Sequence, residues 1–258
     1  MSVGPRLELF GVEGIGAIRP GDGLAELLLD SLANSATLRL CDGDVIVVAQ
    51  KAVSKSEHRY VRLDSVTPSE RALQLAERCA KDPRLVEIVL SESRQVLRAV
   101  PGVLIVEDRR GLILANAGVD RSNVDQDERG ERVLLLPENP DASAARLRAR
   151  IAELAGVDVG AIVNDSLGRA WRLGTVGAAI GVSGLPALLD RRGEPDLQGR
   201  MLEITEVGLA DELAAAASAV MGQASEGRPI VIIRGVAWPR RDGNSRELLR
   251  SVDKDLFR

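Results

Sequence analysis

The stretch Val159–Gly181, VGAIVNDSLGRAWRLGTVGAAIG, constrains the fold of this chain more than any other. Val159, Ala161, Ile162 and Val163 form the short apolar run that a buried strand requires. Asn164, Asp165 and Ser166 then place three polar side chains where that strand is expected to end. Gly168 follows, Arg169 and Arg172 bracket Trp171, and Gly174 breaks the chain again. A carboxylate and a hydroxyl at a strand end, with two guanidiniums behind them, suit a cation and an anion bound side by side. A nucleotide phosphate with its metal is such a pair. A polar turn with its charges in water fits the same residues.

Composition narrows the chemistry. Apolar residues make up 45% of the 258, ample for a large core. The net charge of -4 has the wrong sign for a nucleic-acid surface, and 2% aromatics leave little for base stacking. Cys41 and Cys79 are the only cysteines, which gives neither zinc spacing nor a disulfide framework. His58 is the only histidine, so a serine–histidine triad would have to use it and a histidine-rich metal site is excluded. Any metal here is held by oxygen, which favours magnesium or manganese. No basic lead with an apolar h-region opens the chain, and no apolar run approaches the ~18 residues that span a bilayer. The expectation is a soluble, cytoplasmic protein with no membrane or nucleic-acid partner.

In chain order, Leu7–Val12 reads as a strand running into Gly11, Gly14 and Gly16. Neither GxGxxG nor GxxxxGK[ST] is present. That turn either admits a ligand close to the backbone or is a plain tight turn. Asp22 is placed to cap a helix over Leu24–Leu32. Asp44–Val53 reads as a strand that continues into AQKAVSKSE. Lysine occurs only at 51, 55, 81 and 254, and residues four apart on a strand share a face, so Lys51 and Lys55 point the same way. Two ammoniums suit a phosphate; snorkelling from an edge strand is the alternative.

Residues 69–93 read as helical with a break at Asp82-Pro83, with Leu73, Leu75, Ala76 and Cys79 on the apolar side. Val103–Val106 and Leu112–Leu114 form a hairpin-like pair leading to Asn116, Asp120 and Asn123. Asp125–Arg132 is dense in charge and reads as an exposed loop. Val133–Pro137 is a strand, and a helix opens at Asn139-Pro140 and closes at Gly156. Met201–Val207 reads as an alternating strand, Asp211 begins an alanine-rich helix ending near Gln223, and Pro229–Ile233 is a buried strand. Strands and helices mix without strict βαβ alternation, so an α+β fold of mixed sheets with flanking helices is expected. Residues 1–258 read as one unit, two interleaved lobes being the alternative. Asp120 and Asp165 both fall just past strands, where loops carry function.

AQKAVSKSE, AGVDRSN, NDSLGRAWRLG, LLDRRGEPDLQGR and the closing LLR…DLF, in this order, resemble the coenzyme F420-0:L-glutamate ligase family over nearly the whole chain. The resemblance implies a family-specific α+β fold and an intertwined homodimer. It also implies use of GTP and a divalent metal, manganese or magnesium in two sites. The reaction implied joins L-glutamate to the lactyl carboxylate of a deazaflavin precursor through an acyl phosphate, with further γ-linked additions. By motif, Asp120, Asp165 and Ser166 are metal ligands; Ile15, Gly16, Ala17, Ile18, Gln50, Lys51, Lys55 and Asn123 line the nucleotide, and Gln223 lies near the second metal or the phosphates. Lys55, Arg169 and Arg172 serve catalysis by holding phosphate oxygens. His58 stands where glycine is usual and Leu173 where asparagine is usual, departures that bear on acceptor recognition. No flavin-binding domain follows, so ligase activity alone is expected. The alternatives are a ligase of the same mechanism on another small acid and a nucleotide-binding regulator without turnover.

Overall fold

The computed structural model describes residues 4–34, 38–124, 130–239 and 241–255. The charged run 125–129 and the closing 256–258, which include part of the expected loop and the end of the last motif, lie outside the described residues. The chain runs β1 (Glu8–Gly11), α1 (Leu24–Ala33), β2 (Val45–Ala49), α2 (Gln50–Ser56), β3 (Tyr60–Arg62), α3 (Glu70–Cys79), α4 (Pro83–Ser91), β4 (Ser93–Val100), β5 (Val103–Asp108) and β6 (Ile113–Ala115). It continues through β7 (Arg132–Leu134), α5 (Pro140–Ala155), β8 (Gly160–Arg169), β9 (Arg172–Ser183), β10 (Leu189–Asp190), β11 (Glu206–Val207), α6 (Leu209–Met221) and β12 (Ile230–Arg234). Helices and strands are mixed, as expected. The chain divides into two compact units, Met1–Val53 with Asn139–Leu167 and Thr175–Leu248, and Ser54–Glu138 with Gly168–Gly174 and Leu249–Arg258. Among the described residues, no helix is long and apolar enough to cross a membrane.

The first unit is built on a five-stranded sheet of order β1-β12-β2-β8-β9. β1 and β2 both run antiparallel to β12, and β2 runs parallel to β8. Val45, Val47, Ile162, Val231 and Ile233 share one face and pack with Leu213, Ala214, Ala217 and Met221 of α6. The alternate residues Ile46, Val48, Ile230 and Ile232 are equally buried, so the sheet is covered on both faces. That is why these strands read as continuous apolar runs. Each such Val or Ile contributes about 1.5–3 kcal/mol on burial. At one edge of the sheet Asp44, just before β2, is buried and accepts both Nε (2.8 Å) and Nη2 (2.7 Å) of Arg234 at the end of β12. This fork pins the β2–β12 register.

The opposite edge collects chain ends. The C-termini of β1 and β2, the forward continuation of β8 and the N-terminus of β12 all point there, because Gly11 pairs with Val231, Val48 with Ile230, and Ala49 with Asn164. The N–H of Ala49 donates to the carbonyl of Pro229 at 2.8 Å, and that of Val12 to Ile230 at 2.9 Å.

Several sequence expectations need correction. The strand expected over Asp44–Val53 stops at Ala49, and Gln50 opens α2. Ala49, Ala52, Val53 and Ser56 recur at helical spacing, and Ala52 and Val53 are buried. Lys51 and Lys55 therefore share a helix face, not a strand face. Asp165 and Ser166 do not follow a strand: β8 continues through them to Arg169, turns at Ala170 and Trp171, and returns as β9. Pairing with β9 keeps this polar segment in the ladder. Asp22 does not cap α1, whose N-cap is Gly23; its Oδ2 accepts the N–H of Arg19 at 2.7 Å. Leu73 is exposed, and the strand over Met201–Val207 shrinks to Glu206–Val207. β4 carries no buried residue, four of its eight being exposed, so it lacks the apolar signal of a strand.

In the second unit α3 and α4 cover the β4-β5-β6 sheet, with Ala72, Leu75, Cys79, Val86, Val89, Leu104 and Val106 in the core. Ser69 caps α3, accepting the N–H of Ala72 at 3.3 Å. Asp82 caps α4 through the N–H of Arg84 at 2.8 Å, ahead of Pro83 at the first helical position.

The Arg84 guanidinium, hydrogen-bonded to Asp82, lowers that carboxyl from its ordinary 3.8 to about 2. A depressed carboxyl stabilises the fold above its unfolded value, and the contribution is lost as pH falls through about 2. Asp82→Asn keeps a capping side chain but no longer titrates. Its melting temperature, followed from neutral pH down to about 2, is expected to start lower than wild type and to fall less steeply below pH 3.8.

Candidate functional site

The edge where β1, β2, β8 and β12 open gathers Gln50, Lys51, Asp165, Ser166 and Gln223, and the stretch that carries Ile15, Gly16, Ala17 and Ile18 leaves β1 at the same edge. They arrive on four separate segments: the stretch after β1, the start of α2, the middle of β8 and the turn between α6 and β12. Gln50 follows Ala49 and Asp165 follows Asn164, and those two are partners in the parallel register. Adjacent parallel strands thus deliver an amide and a carboxylate side by side. The carboxyl ends of parallel strands are a recurrent place for ligands, because the strands fix what the loops present.

The polar contacts here are specific. Asp165 Oδ1 accepts the N–H of Ser166 at 2.8 Å. The Ser166 hydroxyl donates to Gln223 Oε1 at 2.6 Å, which joins the middle of β8 to the turn after α6. The other end of that amide, Nε2, donates to Ser218 Oγ on α6 at 2.7 Å. Gln50 and Asn164 are buried at this edge. Asn164 Nδ2 points at the sulfur of Met221 at 3.5 Å, while its Oδ1 is buried with no hydrogen-bond partner. Gly177 on β9 makes the close packing possible: a β-carbon there would meet the Ala214 carbonyl, Asn164 Oδ1 (2.7 Å) and Ser218 Cβ (2.7 Å).

The remaining five residues belong to the second unit. Asp120 is held by reciprocal backbone bonds with Leu134, both 2.9 Å, and its Oδ1 accepts the N–H (2.9 Å) and hydroxyl (2.8 Å) of Ser122. It follows Asn116, Ala117 and Gly118, three successive residues with left-handed φ of 53, 52 and 69°. Two of these are not glycine, and Ala117 is fully buried, so the turn costs free energy that the surrounding core offsets. Asn123 is also left-handed and exposed. Lys55 lies in the last turn of α2. Arg169 and Arg172 flank the exposed Ala170–Trp171 turn, where Arg169 Nη2 donates to the Leu173 carbonyl at 3.2 Å. Leu173 is 98% exposed, and His58 is exposed with φ 58°. At His58 that left-handed conformation costs free energy that a glycine would not incur.

The donors on the sheet edge are a carboxylate, a hydroxyl and an amide carbonyl, a hard oxygen set of the kind magnesium and manganese take. Among the described residues no group of three His, Cys, Asp or Glu forms a self-contained metal cage. Magnesium at phosphate sites uses one or two carboxylates together with substrate oxygens, so this donor set fits such an ion.

Comparison with known proteins adds an independent line. The profile of the F420-0:Gamma-glutamyl ligase family matches residues 14–235. The coenzyme F420:L-glutamate ligase of Methanothermobacter thermautotrophicus is 46% identical over 254 residues, 98% of this chain and 99% of that protein. The protein of the same name from Methanopyrus kandleri is 50% identical over 245 residues, 93% of each chain. That from Archaeoglobus fulgidus is 44% identical over 253 residues, 98% of this chain and 97% of its own.

Gly177→Ala is expected to destabilise the protein by roughly 1–3 kcal/mol, since its methyl meets a backbone carbonyl that has no room to move. Gly168→Ala, with nothing within 4 Å of the added carbon, is expected to stay within about 0.5 kcal/mol of wild type. Denaturant titration of the pair checks both; equal stabilities would contradict the close approach at Gly177.

Proposed function

The chain belongs to the F420-0:gamma-glutamyl ligase family, and from that premise we propose that it joins L-glutamate to the lactyl carboxylate of coenzyme F420-0 in a GTP-dependent reaction, with further γ-linked glutamates as an extension. The observation that carries this is the convergence of Asp165, Ser166, Gln223 and Gln50 at one sheet edge, the edge from which the glycine-rich stretch departs. A carboxylate does not condense with an amine unaided, because its oxygen is a poor leaving group. In the proposed sequence a carboxylate oxygen of the acceptor attacks the γ-phosphorus of GTP and the β–γ bridging bond breaks, releasing GDP. The glutamate amine then attacks the acyl carbon, the carbon–oxygen bond to phosphate breaks, and the amine gives up a proton.

Phosphoryl transfer of this kind needs positioning and charge neutralisation more than a side-chain nucleophile. Asp165, Ser166 and Gln223 would hold a manganese or magnesium ion; Asp120, in the second unit, is proposed by motif as a metal ligand as well. A bound divalent cation supplies neutralisation of phosphate charge. Lys51 and Lys55 hold phosphate oxygens as point charges, and Arg169 and Arg172 supply further cationic donors. Residues 14–18 bring backbone close to the nucleotide, and Gln50 and Asn123 contribute side-chain amides. In this proposal the enzyme works as an intertwined homodimer in the cytoplasm.

Mass spectrometry of the deazaflavin precursor after incubation with protein, GTP, manganese and glutamate tests the reaction. A gain of one or more glutamyl units is expected, with GTP consumption that needs both acceptor and metal. GTP hydrolysis indifferent to a chelator, with no mass gain, would refute it. Asp165→Asn is expected to abolish ligation and weaken manganese binding at an unchanged melting temperature, since shape is kept and one charge is lost. Ligation at the wild-type rate with wild-type manganese affinity would remove Asp165 from the site.

Lys55→Ala is expected to weaken GTP by roughly 10- to 100-fold, the worth of a hydrogen bond to a charged group, and to leave acceptor affinity nearly untouched. Lys55→Arg should restore part of the loss, because a planar fork replaces a point charge. Nucleotide titration distinguishes this from a solvated lysine, whose removal would leave GTP affinity as it was.

A further inference from the structure

Ser218 belongs to no motif of the sequence. It lies in the last turns of the alanine-rich α6, where a small residue is read as packing, and it is 7% exposed. Its hydroxyl nevertheless receives Nε2 of Gln223 at 2.7 Å, while Oε1 of the same amide receives the Ser166 hydroxyl at 2.6 Å. Gln223 itself is exposed, on the turn that follows α6. A glutamine amide has two unlike ends, an acceptor and a double donor. Only the acceptor end is useful to a cation; an NH2 group turned the same way would repel it. An exposed glutamine also has rotamer freedom that costs free energy to restrict.

We propose that Ser218 is a positioning residue for Gln223: by taking Nε2, it holds the amide with Oε1 facing Ser166 and a hard divalent cation. This rests on the proposal that Ser166 and Gln223 serve a metal. Ser218 does not touch the ion or the substrates; it acts through the amide alone. Its own place is set by packing. Gly177 leaves room for Ser218 Cβ, and the buried helix face around Ala214 and Ala217 anchors α6 against the sheet. An exposed side chain is thus oriented from a buried one, which is how outer partners of metal ligands act. Their loss typically weakens metal binding 10–100-fold.

The test is manganese affinity of the protein without acceptor, read from the electron paramagnetic resonance signal of free ion, alongside melting temperature. Ser218→Ala is expected to bind manganese about 10-fold more weakly, with stability preserved because alanine is the best helix former. Gln223→Glu has two equivalent oxygens and nothing to orient, so adding Ser218→Ala to it is expected to change affinity less than about twofold, within ordinary additivity. Wild-type affinity in Ser218→Ala, with loss in Gln223→Ala, would overturn the positioning role and leave the metal site standing. An equal loss from Ser218→Ala in the Gln223→Glu background would overturn it too, assigning Ser218 to packing. Unchanged affinity in both Gln223→Ala and Asp165→Asn would instead remove the metal site, and the role of Ser218 with it.

Discussion

The parallel pairing of β2 with β8 is the constraint on which the site depends. A parallel pair cannot be closed by a tight turn, so a long crossover must join its strands. Here that crossover carries α5 and the whole segment Ser54–Glu138 of the second unit. The pair is buried on both faces, which locks its register, because a slip of one residue would turn every side chain to the other face. With Ala49 opposite Asn164, Gln50 and Asp165 emerge at one level. The antiparallel partners β12 and β1 then bring the 222–229 turn and the glycine-rich stretch to the same edge.

The two edges of the first unit's sheet use polar groups differently. Around Asp44 the buried carboxylate is satisfied by Arg234 and the N–H of Cys41, a paired charge that pins register. Around Asn164 the buried amide meets only a thioether sulfur, and its oxygen has no partner. Asp165, Ser166 and Gln223 next to it are less buried and carry the oxygen donors. A closed polar network stabilises a fold, whereas donors left at an opening are suited to a ligand.

The second unit concentrates conformational cost and buried charge. The left-handed turn Asn116–Gly118 precedes Asp120, and Gly118 lies against Leu136 where a β-carbon would meet Leu136 Cγ at 2.6 Å. Asp108 and Glu92 are buried with Arg110, and Glu92 also meets Arg59, whose Nε donates to the Leu136 carbonyl at 2.9 Å. Removing one member of such a group would leave an uncompensated charge, so these residues tie α4, β5 and Leu136, just past β7, together through obligation more than through net attraction.

Much of this was legible in the chain alone. Apolar runs at 45–48, 161–163 and 230–233 announce buried strands, Asn139-Pro140 and Gly156 bound α5, and the ordered motifs identify the family. Such features are local: burial, capping and turn chemistry leave their mark within a few residues. What the sequence did not decide is nonlocal. The polar run after Val163 reads as a strand end, but pairing with β9 extends β8 through it. Lys51 and Lys55 share a face under either period, so their spacing could not separate strand from helix. That Gln223 meets Ser166, and that Ser218 turns its amide, depends on packing of α6 against β9 across Gly177. No neighbour of Ser218 in sequence signals that role, because a hydrogen bond between distant segments exists only once the register of the sheet has brought them together.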